Sequence, residues 1–291
     1  MSDAELARSV LRPGIDARPS RERAAPRVLK AITRSFLVRR LLVLIVLAAL
    51  WQVAAVFKAS PILFPSFTET VSAFFEASRS EGLIGSAAAS IVVLIKGYLL
   101  ALAIAMILVS SAAAVPFMRD VLQTLTAIFN PLPAIALLPL AMLWLGLGEN
   151  SLLLVLVHSV LWPFALAALA GFEQVPETQR LVGRNYGLKG PRYVLHILLP
   201  AALPSILSGL KLGWAFAWRT LIAAELVFGV SSGKGGLGWF IYRNRNDLLT
   251  DRVFAGLATV ILIGLFVEFA IFHTVERLTV ERWGMQRAAS R

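Results

Sequence analysis

A succession of long apolar runs constrains this chain more than any other feature, beginning with LLVLIVLAALWQVAAVF at 41–57. A hydrocarbon interior offers backbone N–H and C=O groups no partner, so such runs are predicted to cross a bilayer as helices. Six are predicted, at 41–57, 91–115, 127–147, 151–172, 203–229 and 253–275. Composition agrees, since 58% of the 291 residues are hydrophobic and 15% charged, more apolar surface than a soluble core of this size needs. The fold class is therefore an all-α integral membrane protein. A six-span domain, 41–275, lies between a basic disordered tail, 1–40, and a C-terminal tail, 276–291. The absence of cysteine excludes disulfides, metal–thiolate sites and a cysteine nucleophile. The mostly polar stretch ahead of the first run does not read as a cleaved signal.

Between the runs, residues 58–90 carry Pro61, Pro65, Glu69, Glu76 and Glu81 and are predicted to form an external loop and a surface helix. PFMRDVLQ at 116–123 reads as a short turn. The third run holds Pro131, Pro133 and Pro139, which break or kink a helix. Such breaks are tolerated in a bilayer only against protein or a water-filled cavity. Gly146 to Asn150 forms a tight turn into the fourth run.

Charge sets the orientation. With the N-terminus inside, 19 of the 28 Lys and Arg fall on inner segments, 6 on outer ones and 3 (Lys96, Lys211, Arg219) within spans. This roughly threefold bias predicts that both termini face the cytoplasm, as does the 173–200 loop. It also accounts for the net charge of +11 without a nucleic-acid partner.

That loop, EQVPETQRLVGRNYGLKGPRYVLHILLP, is a polar insert in a greasy chain. Pro176 and Glu177 suit a helix start, where a proline needs no donor and an acid favours the positive end. Gly187 suits the helix end. A second short helix is predicted from Gly190–Pro191 to Leu199, stopping before Pro200. Arg180 and Arg184, four apart on one face, repel unless an acidic surface lies opposite. By itself this helix-turn-helix also fits an amphipathic helix lying on lipid headgroups.

Gly187, Ile197 and Leu199-Pro200 form the frame G-x9-I-x-L-P. This frame resembles the cytoplasmic loop by which permease subunits of bacterial ABC importers grip their ATPase. Leu181, Val182 and Gly183 stand where that signature has Glu-Ala-Ala. NPLPAIALLPLAMLWLGLGENS at 130–151, LPAALPSILSGLKLGWAFAWRTLIAAEL at 199–226 and GGLGWFIYRNRNDLLTDRVFAGL at 235–257 are similar to the nitrate, sulfonate and taurine permease group. The resemblance covers most of residues 60–284. It implies an importer-type permease fold and a homodimer of six-span subunits in the bacterial inner membrane. Two cytoplasmic ATPase subunits and an external substrate-binding protein complete the assembly. Glu177, Arg180, Arg184, Gly187, Ile197 and Pro200 are then the ATPase-coupling residues.

No GxxxxGK[ST] motif is present, so ATP and Mg are expected on the partner ATPase and this chain is not expected to be an enzyme. GKGGLG at 233–238 reads as an external loop. His158, His196 and His273 have no ligand spacing, and no metal site is expected. A charge within a span costs about 2.5–3.5 kcal/mol at the bilayer centre on insertion scales and needs a partner or water. Glu225 lies six residues beyond Arg219, turned about 240° around the helix, so the two share no face. Arg219 is left with Glu268, the second subunit or a substrate anion. Lys211 lies within about 80° of Arg219. Lys211, Trp214, Trp218, Arg219, Glu225 and Glu268 are accordingly the candidate translocation residues. Set against them is a buried Arg219–Glu268 pair that fixes packing, with the tryptophans in the core. The resulting reading is a permease subunit for a small anion. The alternative is a secondary transporter or channel without an ATPase, which has no use for the 173–200 frame. A membrane enzyme lacks the clustered carboxylates or histidines it needs. Permeases similar to this one handle nitrate, taurine, alkanesulfonates, bicarbonate, aromatic acids and thiamine-precursor pyrimidines.

Overall fold

A computed structural model describes residues 36–58, 63–228 and 235–281, and every regular element among them is helical. Most of the two tails lies outside these residues, as do Gly233 and Lys234 of GKGGLG, whose last two residues begin a helix instead of continuing the expected loop. The chain divides into two units, residues 1–53 and 54–291. In the first, helix α1 (Phe36–Lys58) begins inside the expected tail and runs on past the unit boundary. Its apolar stretch, Leu41–Phe57, is short for a crossing of about 20 residues.

The second unit opens with α2 (Phe67–Ser80), the expected surface helix, started by a capping box. The Ser66 hydroxyl accepts from the Glu69 amide at 3.2 Å while the Ser66 amide donates to the Glu69 carboxylate at 2.8 Å. Those Ser66 bonds hold the Glu69 carboxyl below the usual carboxylate range. Helix α3 (Leu83–Ala114) starts well before residue 91, and its 32 residues exceed what a bilayer core needs.

The stretch expected to be a short turn is helical. Pro116 takes the first position of α4 (Pro116–Phe129), where its missing N–H costs nothing. The expected single span at 127–147 is therefore two arms. Pro131 and Pro133 withhold the donors that would continue α4, and the chain bends by 87° before a 3₁₀ turn, Ala134–Leu137, and α5 (Leu138–Leu145). Gly146, at φ +79°, ends α5, and α6 (Glu149–Glu173) follows. Next come α7 (Glu177–Asn185) and α8 (Gly190–Ala201), then a bend of 81° into α9 (Leu203–Phe228). Helices α10 (Leu237–Asn246) and α11 (Thr250–Thr279) close the described chain.

Among the described residues three helices, α3, α6 and α11, are individually long and apolar enough to span a membrane, and counting each bent pair as one span raises the number to five. Helix α6 is the most buried of the three and packs against both α3 and α9. Small residues let these backbones approach. On α3, Ala101, Ala105 and Ala112 are fully or almost fully buried, and a Cβ at Gly97 would come within 2.8 Å of Leu156. On α9, a Cβ at Gly209 would meet Ala167 at 2.9 Å, and one at Gly213 would meet Val160 at 3.1 Å.

Candidate functional site

In the 173–200 loop, two predicted residues act on helix ends. The Arg180 guanidinium turns away from Arg184 and donates to the Phe172 and Val175 carbonyls at 2.5 and 3.1 Å, at the C-terminal end of α6. A cation at those carbonyls complements the negative helix end, and the expected repulsion is thereby avoided. Gly187, at φ +71°, ends α7 with the paired bonds of a Schellman turn, Leu188 N–H to the Gly183 carbonyl at 3.0 Å and Gly187 N–H to that of Arg184 at 2.9 Å. Pro176 is the cap of α7 and Glu177 its first residue.

Arg184 pairs with Glu177 at 3.6 Å, both side chains well exposed, which is worth little in stability. Ile197 and Tyr193 pack on the bare backbone of Gly183, where a Cβ would lie 2.8 and 2.9 Å from them. The second helix does not stop before Pro200. A π turn at Val194–Leu198 widens the ladder, Leu199 N–H reaching the Val194 carbonyl, and the proline is carried on to Ala201. Leu181 and Val182 on α7, and Tyr186 just past its end, are left exposed.

The structure separates the six candidate residues of the membrane interior. Lys211 forms a 2.7 Å ion pair with Glu276 of α11, so the quarter turn between Lys211 and Arg219 is enough to face them onto different neighbours. Trp214 packs edge-on against Tyr98 at 5.6 Å and Phe272 at 6.4 Å. Trp218 is buried and donates to the Val260 carbonyl at 3.3 Å. Both tryptophans thus lie in the packing between α9 and its neighbours. Arg219 does not pair with Glu268, which is exposed in a π turn of α11. Arg219 instead donates from Nε to the Ala215 carbonyl at 3.0 Å, with its guanidinium carbon 5.1 Å from the Phe216 ring centre. Among the described residues it has no carboxylate partner.

Glu225 is 2% exposed and faces away from any open space. Its carboxylate accepts from the Ser90 hydroxyl at 2.8 Å and the Gly238 amide at 2.8 Å, and the Leu237 amide in turn donates to the Ser90 oxygen at 2.7 Å. The acid therefore sits on the N-terminal end of α10, where the helix dipole favours an anion. Gly236 and Gly238 are bare because a Cβ at either would overlap the Glu225 side chain. Ser90 was not legible from sequence, since a serine at the edge of an apolar run carries no signal of its own.

Arg219 opens onto a cavity of about 680 Å³ between the 130–135 break, α6 and α9. Pro131, Leu132, Trp162, Leu166, Leu212 and Phe216 are among its apolar lining, and Asn130, His158 and Thr220 among its polar residues. Glycine contacts fix the antiparallel register of α6 against α9. Gly171 lies opposite Ala202 and Ser205, Gly209 opposite Phe164 and Ala167, and Gly213 opposite Val160. Continuing that register sets His158 level with Phe216, near the middle of both helices. The Arg219 guanidinium folds back one turn to Ala215 and so reaches the same depth. Phe129 stacks on Trp162 at 5.1 Å, and His158 stands edge-on to both at 6.3 Å. Both His158 ring nitrogens and Trp162 Nε1 are shielded from solvent without a hydrogen-bond partner among the described residues. Sequence spacing already put His158 and Trp162 one turn apart. His158 has no metal-ligand spacing, and neither residue was among the predicted site residues.

A helical chain with several helices long and apolar enough to cross a membrane, and a cavity lined by an arginine that has no carboxylate partner among the described residues, has the make-up of a multi-pass membrane protein. More specifically, residues 101–280 match the family described as "Binding-protein-dependent transport system inner membrane component", and the chain belongs to that family. It is 34% identical over 164 residues to the taurine transport system permease protein TauC of Escherichia coli, covering 56% of this chain and 58% of that one. It is 32% identical over 152 residues to the nitrate import permease protein NrtB of Synechocystis sp., covering 52% and 54%. A putative ABC transporter permease protein of Methanocaldococcus jannaschii is 28% identical over 237 residues, covering 80% and 88%. The chain thus spans a little over half the length of the taurine and nitrate permeases it matches.

Proposed function

We propose that this chain is the membrane-spanning permease subunit of an ATP-driven importer for a small anion. Two copies form the translocation pathway, two ATPase subunits bind ATP and Mg below, and a binding protein delivers the solute from outside. The observation that carries this reading is Arg219, a cation with no carboxylate partner among the described residues, lining a cavity between two apolar helices of a protein whose relatives include taurine and nitrate permeases. A permanent charge there is tolerated when water or an anion visits it.

In this reading six spans cross the membrane, both termini are cytoplasmic, and the 173–200 loop grips the ATPase. Ion-pair partners agree with the order of crossings, because each joins residues assigned to the same side, whichever side that is. Glu81 meets Arg252 at 2.5 Å and Lys96 meets Glu149 at 2.7 Å on the outer half, while Arg119 meets Glu173 at 3.7 Å on the inner. ATP binding closes the ATPase pair, α7 transmits the movement to α6 through Arg180, and the pathway turns outward. Hydrolysis resets it. Purification from native membranes in mild detergent is expected to recover an ATPase subunit and an external binding protein. A chain recovered alone that transports without ATP would instead be a secondary transporter.

A further inference from the structure

Two further polar groups line the Arg219 cavity with nothing to bond. Asn130 ends α4 at the proline break, and Thr220 follows Arg219 on α9, and neither side chain has a hydrogen-bond partner among the described residues. For Thr220 this departs from other threonines of the chain. The Thr124 and Thr259 hydroxyls donate to the carbonyl four residues before them, at 2.7 and 2.8 Å, which is how a threonine inside a helix ordinarily satisfies its polar group. Thr220 leaves the corresponding Phe216 carbonyl alone and keeps its hydroxyl free among proline, leucine and aromatic side chains. A donor idle in such a wall costs free energy unless something visits it. Both residues are reachable, Asn130 being exposed and Thr220 half-buried.

Their depths bracket the cation. The Arg219 guanidinium sits near the level where His158 faces Phe216. Thr220 lies four residues beyond Phe216 along α9, about 6 Å to one side of that level. Trp162 lies four residues beyond His158 on the antiparallel α6, about 6 Å to the other side, and Phe129, stacked on Trp162 at 5.1 Å, brings Asn130 there. The two idle donors are thus about 12 Å apart along the helices, further than one small anion bridges, with the guanidinium between them. A single buried cation flanked by hydrocarbon would hold an anion and not release it. Transit needs several weaker contacts in series.

We infer that Thr220 and Asn130 are way-stations on either side of Arg219, each donating a hydrogen bond to the anion as it moves onto or off the guanidinium. On the orientation proposed above, Thr220 is the outer station and Asn130 the inner. The inference rests on the importer reading for its direction and meaning, and its test separates the two.

The chain has no cysteine, so single thiols report on the route without background. Thr220→Cys and Asn130→Cys importers are co-purified with their ATPase subunits, placed in lipid nanodiscs and held with ATP and vanadate. Each is labelled with the anionic 2-sulfonatoethyl methanethiosulfonate or its cationic trimethylammonio counterpart, with rates normalised to a free thiol. Both thiols are expected to react, Thr220→Cys the faster, with the anionic reagent favoured at least about tenfold by the field of the guanidinium. Arg219→Gln is expected to remove that preference. Adding Thr220→Val to Asn130→Cys is expected to slow anionic labelling about fivefold, one lost hydrogen bond, while Thr220→Ser leaves it unchanged. Gel filtration reports assembly. Unreactive thiols, a preference for the cation, a preference that survives Arg219→Gln, or no effect of Thr220→Val in an assembled complex each overturns the way-stations. Labelling rates indifferent to ATP and vanadate would overturn the importer reading instead and leave the anion preference and its dependence on Arg219 standing.

Discussion

Glu225 illustrates how one buried acid organises a segment distant in sequence. Ser90 from α3 and the Gly238 amide from α10 both donate to it. Glu225→Gln keeps the shape but turns an amide NH₂ toward one of those donors. It is expected to lower the unfolding free energy by about 1–3 kcal/mol, the usual cost of a buried group left unpaired. Denaturant unfolding of the detergent-solubilised chain measures this. Gly238→Ala is expected to be worse, because the added Cβ would lie 2.5 Å from that of Glu225 and 2.7 Å from the Ile222 carbonyl. A Gly238→Ala protein as stable as the parent would show that the close approach does not hold.

At the scale of an element, the helical pair α7–α8 can be taken apart by two arginines of different standing. Arg180 closes the end of α6, whereas Arg184 is exposed and touches only Glu177. Arg184→Glu is therefore expected to leave stability within about 0.5 kcal/mol of the parent, as for surface changes generally, while uncoupling ATP hydrolysis from uptake. Arg180→Glu is expected to lose stability as well as coupling. Equal thermal midpoints and normal transport for both variants would remove the loop from the coupling path.

Much of this pair was legible in the residues, because Gly187 and the proline at the start of α7 are strong local signals. The π turn was not legible. It depends on how Ile197 seats on Gly183, a tertiary contact that no local propensity reports. The same limit applied at 116–147. Pro131 and Pro133 announced a break, but Arg119 and Asp120 disguised the amphipathic helix before it as a turn. The apolar stretch was consequently assigned as one broken or kinked span, 127–147, without the helix that precedes it. Arg219 was recognisable as a site residue by its charge alone. The residues that share its cavity were not, because the register of α6 against α9 brings His158 to its depth.

Over the whole molecule, the account depends on a charge that the protein leaves unpaired. Lys96, Lys211, Arg119, Arg184 and Arg252 all have carboxylate partners, and Arg219, inside the cavity, has none among the described residues. The most direct test is the initial rate of ATP-driven uptake in proteoliposomes. These would carry the co-purified importer, and the labelled anion would be one its binding protein binds. Arg219→Gln is expected to reduce that rate about thirtyfold or more, the loss of a ~2 kcal/mol charged hydrogen bond, while Arg219→Lys retains part of it and both complexes stay assembled. Wild-type uptake by an assembled Arg219→Gln importer would contradict the anion pathway.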